Sequence, residues 1–128
     1  MVRVDPSMRI ASLRFHWVVP KDQCNAEELD KAAGHWKDLW GWVSLDATAK
    51  SCLLGLTAPE LSFPVGTHET FYIVAPTICS KRSSADLMKE HYPETEIRGS
   101  LEGNQGLFDC GKAKRMLGWE EKGYPWKQ

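Results

Sequence analysis

The stretch IASLRFHWVV at residues 10–19 is the strongest fold signal in the chain. It is mostly apolar, contains aromatic and β-branched residues, and ends at Pro20, which together predict a buried β-strand. The stretch TFYIVA, from Thr70 to Ala75, has the same character and predicts a second strand. Because helical segments are predicted between them, the two strands are expected to pair in parallel.

Two helices are predicted between these strands. Asn25 is a good N-cap with Glu28 as its capping-box partner. The apolar residues that follow near helical spacing are Leu29, Ala32, Ala33, Trp36 and Trp40. Asp46 is predicted to cap the second helix. The apolar stripe of that helix consists of Ala49, Cys52, Leu53 and Leu56.

Two more helices are predicted after the second strand. Ser83 with Asp86 opens the first of them, which Pro93 ends. Leu87, Met88 and His91 are predicted to share one face of that helix. A short extended piece at Thr95 to Arg98 follows and is predicted to be a short strand. Asp109 is predicted to cap the last helix and Gly118 to end it. The residues expected to pack inward there are Ala113, Met116, Leu117 and Trp119.

The fold class that follows is α/β with a small parallel sheet. Parallel sheets normally need both faces covered, so two or three strands are expected to be part of a larger sheet. Residues 1–128 are interpreted as a single domain, with residues 1–9 irregular or disordered.

Composition excludes several classes of protein. The net charge is −1 with mixed signs along the chain, which argues against nucleic-acid binding. No apolar run is long enough for a membrane span and no signal peptide is recognised, so a cytoplasmic location is expected. The four cysteines lack close pairs, which argues against structural zinc and a disulfide framework.

Four segments in order resemble the NAD-dependent epimerase/dehydratase family of extended short-chain dehydrogenase/reductases. SLRFHWVVP at residues 12–20 is similar to the family's SLRYFNVYGP, and LWGWVSLDATAKSCLLGL at 39–56 to its F-[IV]-x-V-x-D-x-A segment. TFYIVAP and the Ser-started helix after it fit the next piece. LFDCGKAKRMLGWEEK at 107–122 resembles the terminal D-x-x-K-A-[KR]-x-x-L-G-[WY] signature.

The resemblance covers only the C-terminal part of that family. It implies a partial Rossmann-like parallel sheet plus a small substrate-binding subdomain, and a substrate that is often a nucleotide-linked sugar. The family uses NAD(P), but no cofactor is expected for this chain alone. Gly99, Gly103 and Gly106 do not form a dinucleotide loop. The family's catalytic pair is a tyrosine with a lysine four residues later. No tyrosine in this sequence is followed by a lysine at that spacing.

The resemblance implies candidate substrate-binding residues but no catalytic or metal-binding residue. They are His16, Trp17 and Val18, which match the loop after the first strand, together with Trp42 and Arg82. Val19 lies in the same loop. Arg14 is interpreted either as a charged substrate-site residue or as a structural arginine of the first strand. Trp42 either stacks on a ring or packs in the core. Lys81 and Arg82 precede a predicted helix, either as an anion site or as solvated cations. Trp36 and Trp40 are either a sugar platform or packing residues.

Three functions are weighed from these observations. The first is the substrate-binding portion of an epimerase/dehydratase, inactive alone, with an exposed apolar surface that favours self-association. The second is a non-catalytic module that binds a nucleotide-sugar, another small anion or a protein. The third is a hydrolase that uses His16 or His91 with a cysteine. No nucleophile-elbow motif or closely spaced Cys/His pair in the sequence supports it.

Overall fold

The computed structural model describes residues 5–31 and 34–122. Its strands are Ile10–Phe15 (β1), Trp17–Val19 (β2), Trp42–Ser44 (β3) and His68–Ile73 (β4). Its helices are Ala26–Lys31 (α1), Leu45–Thr57 (α2), Ser84–His91 (α3) and Gly111–Leu117 (α4). Two short 3₁₀ segments, Lys21–Gln23 and His35–Asp38, lie between them.

The strands form two small parallel sheets, which confirms the predicted α/β class with parallel pairing. β1 pairs with β4 so that Ser12 lies opposite Thr70. β2 pairs with β3 so that Trp17 lies opposite Trp42. The apolar run at residues 10–19 is therefore not one strand, because the chain leaves the first sheet at His16 and enters the second.

The main core lies on one face of the β1–β4 sheet. Phe71 and Ile73 from β4 are fully buried, and Phe63 packs edge-on against Phe71 with ring centroids 5.8 Å apart. Helices α2 and α4 close this side. The indole of Trp119 donates a hydrogen bond of 2.9 Å to the carbonyl of Ala47 in α2. This buried bond joins the end of α4 to the start of α2.

The opposite face of the same sheet is uncovered. Arg14 and His68 are exposed there, and Tyr72 is 42% exposed. Polar contacts run across the face, from Ser12 Oγ to His68 Nε2 at 2.7 Å and from Arg14 Nη1 to the Tyr72 hydroxyl at 3.4 Å. A parallel sheet is usually covered on both faces, so this one lacks a layer within the described residues.

β1 also has a free edge. Ile10 donates to the carbonyl of Thr67, so alternate residues from Ile10 onward bond to the β4 side. The intervening residues Ala11, Leu13 and Phe15 point their N–H and C=O groups the other way. Within the part of the chain described here, no hydrogen bond to these backbone groups is formed. The sheet therefore ends at an edge that another strand can extend.

Helix α2 begins earlier than predicted and presents its apolar stripe outward. Ser44 is the N-cap, since its Oγ accepts from Ala47 N at 3.2 Å, and Asp46 lies inside the first turn. Ala47 and Ser51 face the core, where small side chains let the helix approach the sheet. The stripe of Ala49, Cys52, Leu53 and Leu56 is exposed, together with Leu45, and Leu56 reaches 78%.

Three other element predictions are wrong. The helix after Asn25 ends at Lys31, and the backbone turns at Gly34 with φ 103°, so Trp36 and Trp40 are not on it. Asn25 does accept from Glu27 N at 3.1 Å. Ala32 and Ala33 lie outside the described residues, as do the side chains of Glu28 and Leu29.

Residues 95–98 form no strand, because no neighbouring strand pairs with them among the described residues. Asp109 lies one position before the N-cap Cys110, although its Oδ1 accepts from Gly111 N at 2.7 Å. Residues 5–9 belong to no helix or strand, and residues 1–4 of the predicted irregular segment lie outside the described part.

The predictions for α3 and α4 are otherwise confirmed. Ser83 caps α3 by accepting from Asp86 N at 3.1 Å, and Leu87 and Met88 are buried. Ala113 and Leu117 are buried on α4, and Met116 packs against them in the core. Gly118 ends that helix with φ 70°, a left-handed conformation that glycine adopts without strain.

Candidate functional site

The predicted substrate loop after β1 is partly exposed. His16 is half-buried, and its ring centroid lies 4.4 Å from that of Phe108. Trp17 is 42% exposed with its ring 6.4 Å from that of His35, and Val18 is also exposed. Val19, by contrast, is buried in the core. The loop thus offers an aromatic and apolar surface, with His16 held against the neighbouring ring.

Trp42 is a packing residue. Its side chain is completely buried, and the indole N–H donates to the carbonyl of Thr77 at 2.8 Å. No face of the ring is accessible for a ligand to stack on. Of the two interpretations of Trp42, core packing describes its position in this structure.

Lys81 and Arg82 do not form an open anion site. Lys81 Nζ forms an ion pair with Glu27, and Arg82 Nη2 lies 2.5 Å from Glu90 Oε2. The backbone N–H of Asp86 at the start of α3 is already bonded to Ser83. A free anion would compete with these carboxylates. The glutamate also raises the pKa of Arg82 through this hydrogen bond, so the guanidinium stays charged.

A cleft of about 350 Å³ gathers several aromatic and charged side chains near Arg82. We call it the aromatic cleft. Its lining includes Asp30, His35, Trp36, Trp40, Arg82, Glu90 and His91. The size falls in the range of small-molecule sites, and the lining combines rings with charges of both signs.

The rings in the aromatic cleft are held in fixed positions. Trp36 and His91 are parallel within 5° at a centroid distance of 6.1 Å, and Trp40 lies 5.5 Å from His91. Tyr92 packs edge-on against Trp36, and its hydroxyl donates to the carbonyl of Trp36 at 2.5 Å. Trp36 is 39% exposed. Its indole is therefore partly accessible, with the Lys37 ammonium 5.5 Å from the ring centroid.

A second, smaller cleft of about 200 Å³ lies just beyond the carboxyl end of β4. We call it the Glu121 cleft. It is lined by Val74, Pro76, Phe108, Cys110, Gly111, Lys114, Trp119, Glu120 and Glu121. The ring of Phe108 also contacts the rings of His16 and Tyr72, which lie outside this lining.

Cys110 and Cys79 are poor nucleophile candidates, because the pKa of each thiol is raised. Burial raises the pKa of the Cys110 thiol, and its Sγ donates to the Val74 carbonyl at 3.4 Å. Cys24 and Cys79 share a buried cluster. A hydrogen bond between them raises the pKa of Cys79 and lowers that of Cys24. In the described ranges, no group of three or more potential metal ligands occurs.

The hydrolase interpretation gains nothing from the positions of the two histidines. The ring of His16 contacts Phe108, and that of His91 contacts Trp36 and Trp40. His91 Nε2 also lies 3.5 Å from Glu90 Oε1 on the same helix. These contacts place both imidazoles in aromatic packing.

Sequence reasoning missed Glu121, whose side chain is 98% buried. It stands in the LGWEEK segment next to an exposed glutamate, and adjacent identical residues give no signal of which one points inward. The buried Trp119 two positions earlier is the only clue. In extended backbone, residues two apart lie on the same face, so a buried tryptophan argues for burial at position 121.

Comparison with protein-family models, curated proteins and solved structures finds no match to this chain. No helix of residues 5–31 and 34–122 is long and apolar enough to cross a bilayer.

Proposed function

We propose that this chain is the substrate-binding portion of an NAD-dependent nucleotide-sugar epimerase or dehydratase. The chemistry would be completed by a separate cofactor-binding part that carries the glycine-rich loop and the tyrosine–lysine pair. The proposal begins from the ordered resemblance of four segments between residues 12 and 122. It assigns no catalytic residue to this chain.

The observation that carries the proposal is the incomplete parallel sheet formed by β1 and β4. One face is uncovered and the β1 edge is free within the described residues. A two-stranded sheet of this kind is marginal alone, whereas it is complete when further parallel strands and helices join it. This is the state expected of the end of a larger dinucleotide-binding sheet.

The aromatic cleft is the proposed position of the sugar-nucleotide. A planar base or a sugar face would stack on Trp36, and Arg82 would face a phosphate after releasing Glu90. Trp17 extends the aromatic surface toward the loop that includes His16 and Val18, through its contact with His35. Trp42 is excluded from direct contact because it is fully buried.

The first experiment is to sequence the transcript upstream of the Met1 codon. We expect an in-frame segment with a GxxGxxG motif after a predicted strand and a YxxxK pair before residue 1. A long upstream frame without either motif would contradict the proposal. Because the resemblance covers only the C-terminal side of the family, this result separates an enzyme portion from an independent module.

The second candidate function is a non-catalytic module that binds a nucleotide-sugar. The aromatic cleft favours it, because ring stacking on Trp36 needs no cofactor. Here the chain alone is expected to be monodisperse, to unfold cooperatively and to bind the ligand without turnover. Sedimentation velocity and thermal unfolding of the isolated chain test these expectations, and aggregation with non-cooperative unfolding would contradict them.

A further inference from the structure

Glu121 is the most unusual charged group in the described part of the chain. Both carboxylate oxygens are buried, and neither has a hydrogen-bond partner. The nearest cation is Lys21, whose Nζ lies 3.9 Å from Oε1 and whose side chain is 48% exposed. A buried ionised carboxylate is costly unless it is paired and hydrogen-bonded. Among the described residues, no group donates a hydrogen bond to this carboxylate.

We propose that the Glu121 cleft binds a small organic cation, an alkylammonium or guanidinium group on a short apolar stem. Its charged end would donate to Glu121, which lines the cleft. The apolar part of the lining includes the half-buried Phe108, which suits the stem and whose ring can attract a cation by its π-face. This inference concerns a different cleft from the proposed nucleotide-sugar site and does not rest on it.

The charge balance of the cleft favours a cation. Its charged lining consists of Lys114, Glu120 and Glu121, so the carboxylates outnumber the ammonium. Lys114 Nζ already bonds to Glu120 at 2.7 Å on the exposed rim. Cys110 stays a neutral thiol, since burial raises its pKa. Glu121 is therefore the carboxylate of this lining that has no hydrogen-bond partner, with Lys21 as its nearest cation.

The size and the donor set argue for an organic ligand rather than a metal ion. The volume of about 200 Å³ is below that of drug-sized sites, which limits the ligand to a few heavy atoms beyond its charged group. Calcium and magnesium need about six or more oxygen ligands, and no cluster of three candidate metal ligands occurs in the described ranges.

The test is a ¹H–¹⁵N NMR titration of the full chain with butylammonium chloride, and with butan-1-ol as the neutral control. We expect butylammonium to shift the indole N–H signal of Trp119 and the amide of Gly111, and butan-1-ol to shift them far less. Glu121→Gln should weaken butylammonium binding by more than about tenfold. Glu60→Gln, the same change at an exposed glutamate outside the cleft lining, should leave binding unchanged.

Lys21 supplies a second arm. The Lys21 ammonium lies 3.9 Å from Glu121 and is expected to compete with the ligand for this carboxylate. The Lys21→Met variant should therefore bind butylammonium severalfold more tightly. Equal shifts with butan-1-ol, unchanged binding to folded Glu121→Gln, or no shifts in the wild-type chain would overturn the proposal. The spectrum of each variant also reports whether it is folded, so loss of binding through unfolding is recognised directly.

Discussion

Single residues in this protein differ sharply in how well their polar groups are satisfied. Trp119 and Trp42 are buried with their indole N–H groups bonded to main-chain carbonyls. Glu121 is equally buried but lacks a hydrogen-bond partner. The burial of these two tryptophans follows from their apolar rings, and the sequence indicates it. The direction of one glutamate in an adjacent pair depends on backbone orientation, which composition and periodicity do not specify.

Replacing Glu121 by methionine is expected to stabilise the chain. Removing a buried carboxyl group without a hydrogen-bond partner while keeping the side-chain volume should raise the free energy of unfolding by about 1–3 kcal/mol. Glu120→Met, which changes an exposed residue paired with Lys114, should alter it by less than about 0.5 kcal/mol. Urea unfolding of both variants at neutral pH measures the difference. A loss of stability in Glu121→Met would show that Lys21 satisfies the carboxylate.

Three exposed ion pairs predict weaker folding in acid. Hydrogen bonds from the partner cations lower the pKa of all three glutamates: Glu27 with Lys81, Glu90 with Arg82, and Glu120 with Lys114. The pKa of each glutamate is therefore lower in the folded chain than in the unfolded chain, where it is about 4.3. Each ion pair contributes its full stabilisation at a pH above the unfolded pKa. This contribution is lost as the pH falls through the folded pKa.

The same pairs can be tested singly. Glu90→Gln should show a smaller drop in unfolding free energy between about pH 6 and pH 3 than the wild-type chain, because its charged form no longer contributes. Glu94→Gln, at an exposed carboxylate that takes no part in the three ion pairs, is the control. An identical pH dependence in wild type and Glu90→Gln would contradict the stabilising role of the Arg82 pair.

Helix α2 shows most clearly which element features follow from sequence and which do not. The helix itself and the regular spacing of its apolar residues were predictable from periodicity and capping. Its orientation was not, because the small residues Ala47 and Ser51 face the core while Leu53 and Leu56 face outward. Close approach to the β1–β4 sheet selects small side chains, and the larger apolar face remains for a surface that another segment can cover.

The same reasoning applies to the other elements. The capped helix α3 and the glycine-terminated helix α4 were predictable because their signals are local. The break of the 10–19 run at His16 was not, since strand exchange between two sheets depends on which distant strands pair. The aromatic cleft likewise joins residues 30–40 to residues 82–91, a proximity that only the tertiary fold produces.

Substitutions on the outward face of α2 are expected to change self-association of the chain without changing its folding stability. Leu53→Lys combined with Leu56→Lys should change the free energy of unfolding by less than about 0.5 kcal/mol per site, because both side chains are mostly exposed. It should also reduce self-association measured by sedimentation velocity. Ala47→Leu on the buried face is the control and should cost about 1–3 kcal/mol by overpacking. Association unchanged in the double variant would exclude this stripe as a contact surface.

At the scale of the whole molecule, the chain combines a packed core with an uncovered sheet face and an unpaired strand edge in the described residues. The core under the β1–β4 sheet is continuous and closed by Trp119, whereas the far face of the sheet and the β1 edge are open in the described residues. The proposed substrate-binding role explains both features, because the open sheet would join a cofactor-binding part and the aromatic cleft would bind the sugar-nucleotide. It predicts that the chain alone recognises the substrate but not the cofactor.

The most direct test is an isothermal titration of the isolated chain with UDP-glucose, GDP-mannose and NAD⁺. The account predicts that at least one nucleotide-sugar binds with a Kd below about 1 mM and that NAD⁺ does not bind. Trp36→Leu should weaken that binding by about tenfold. Tyr72→Leu, which removes a similarly exposed aromatic residue from the uncovered sheet face, should not. Heat signals absent for both sugars, or binding of NAD⁺ instead, would contradict the account.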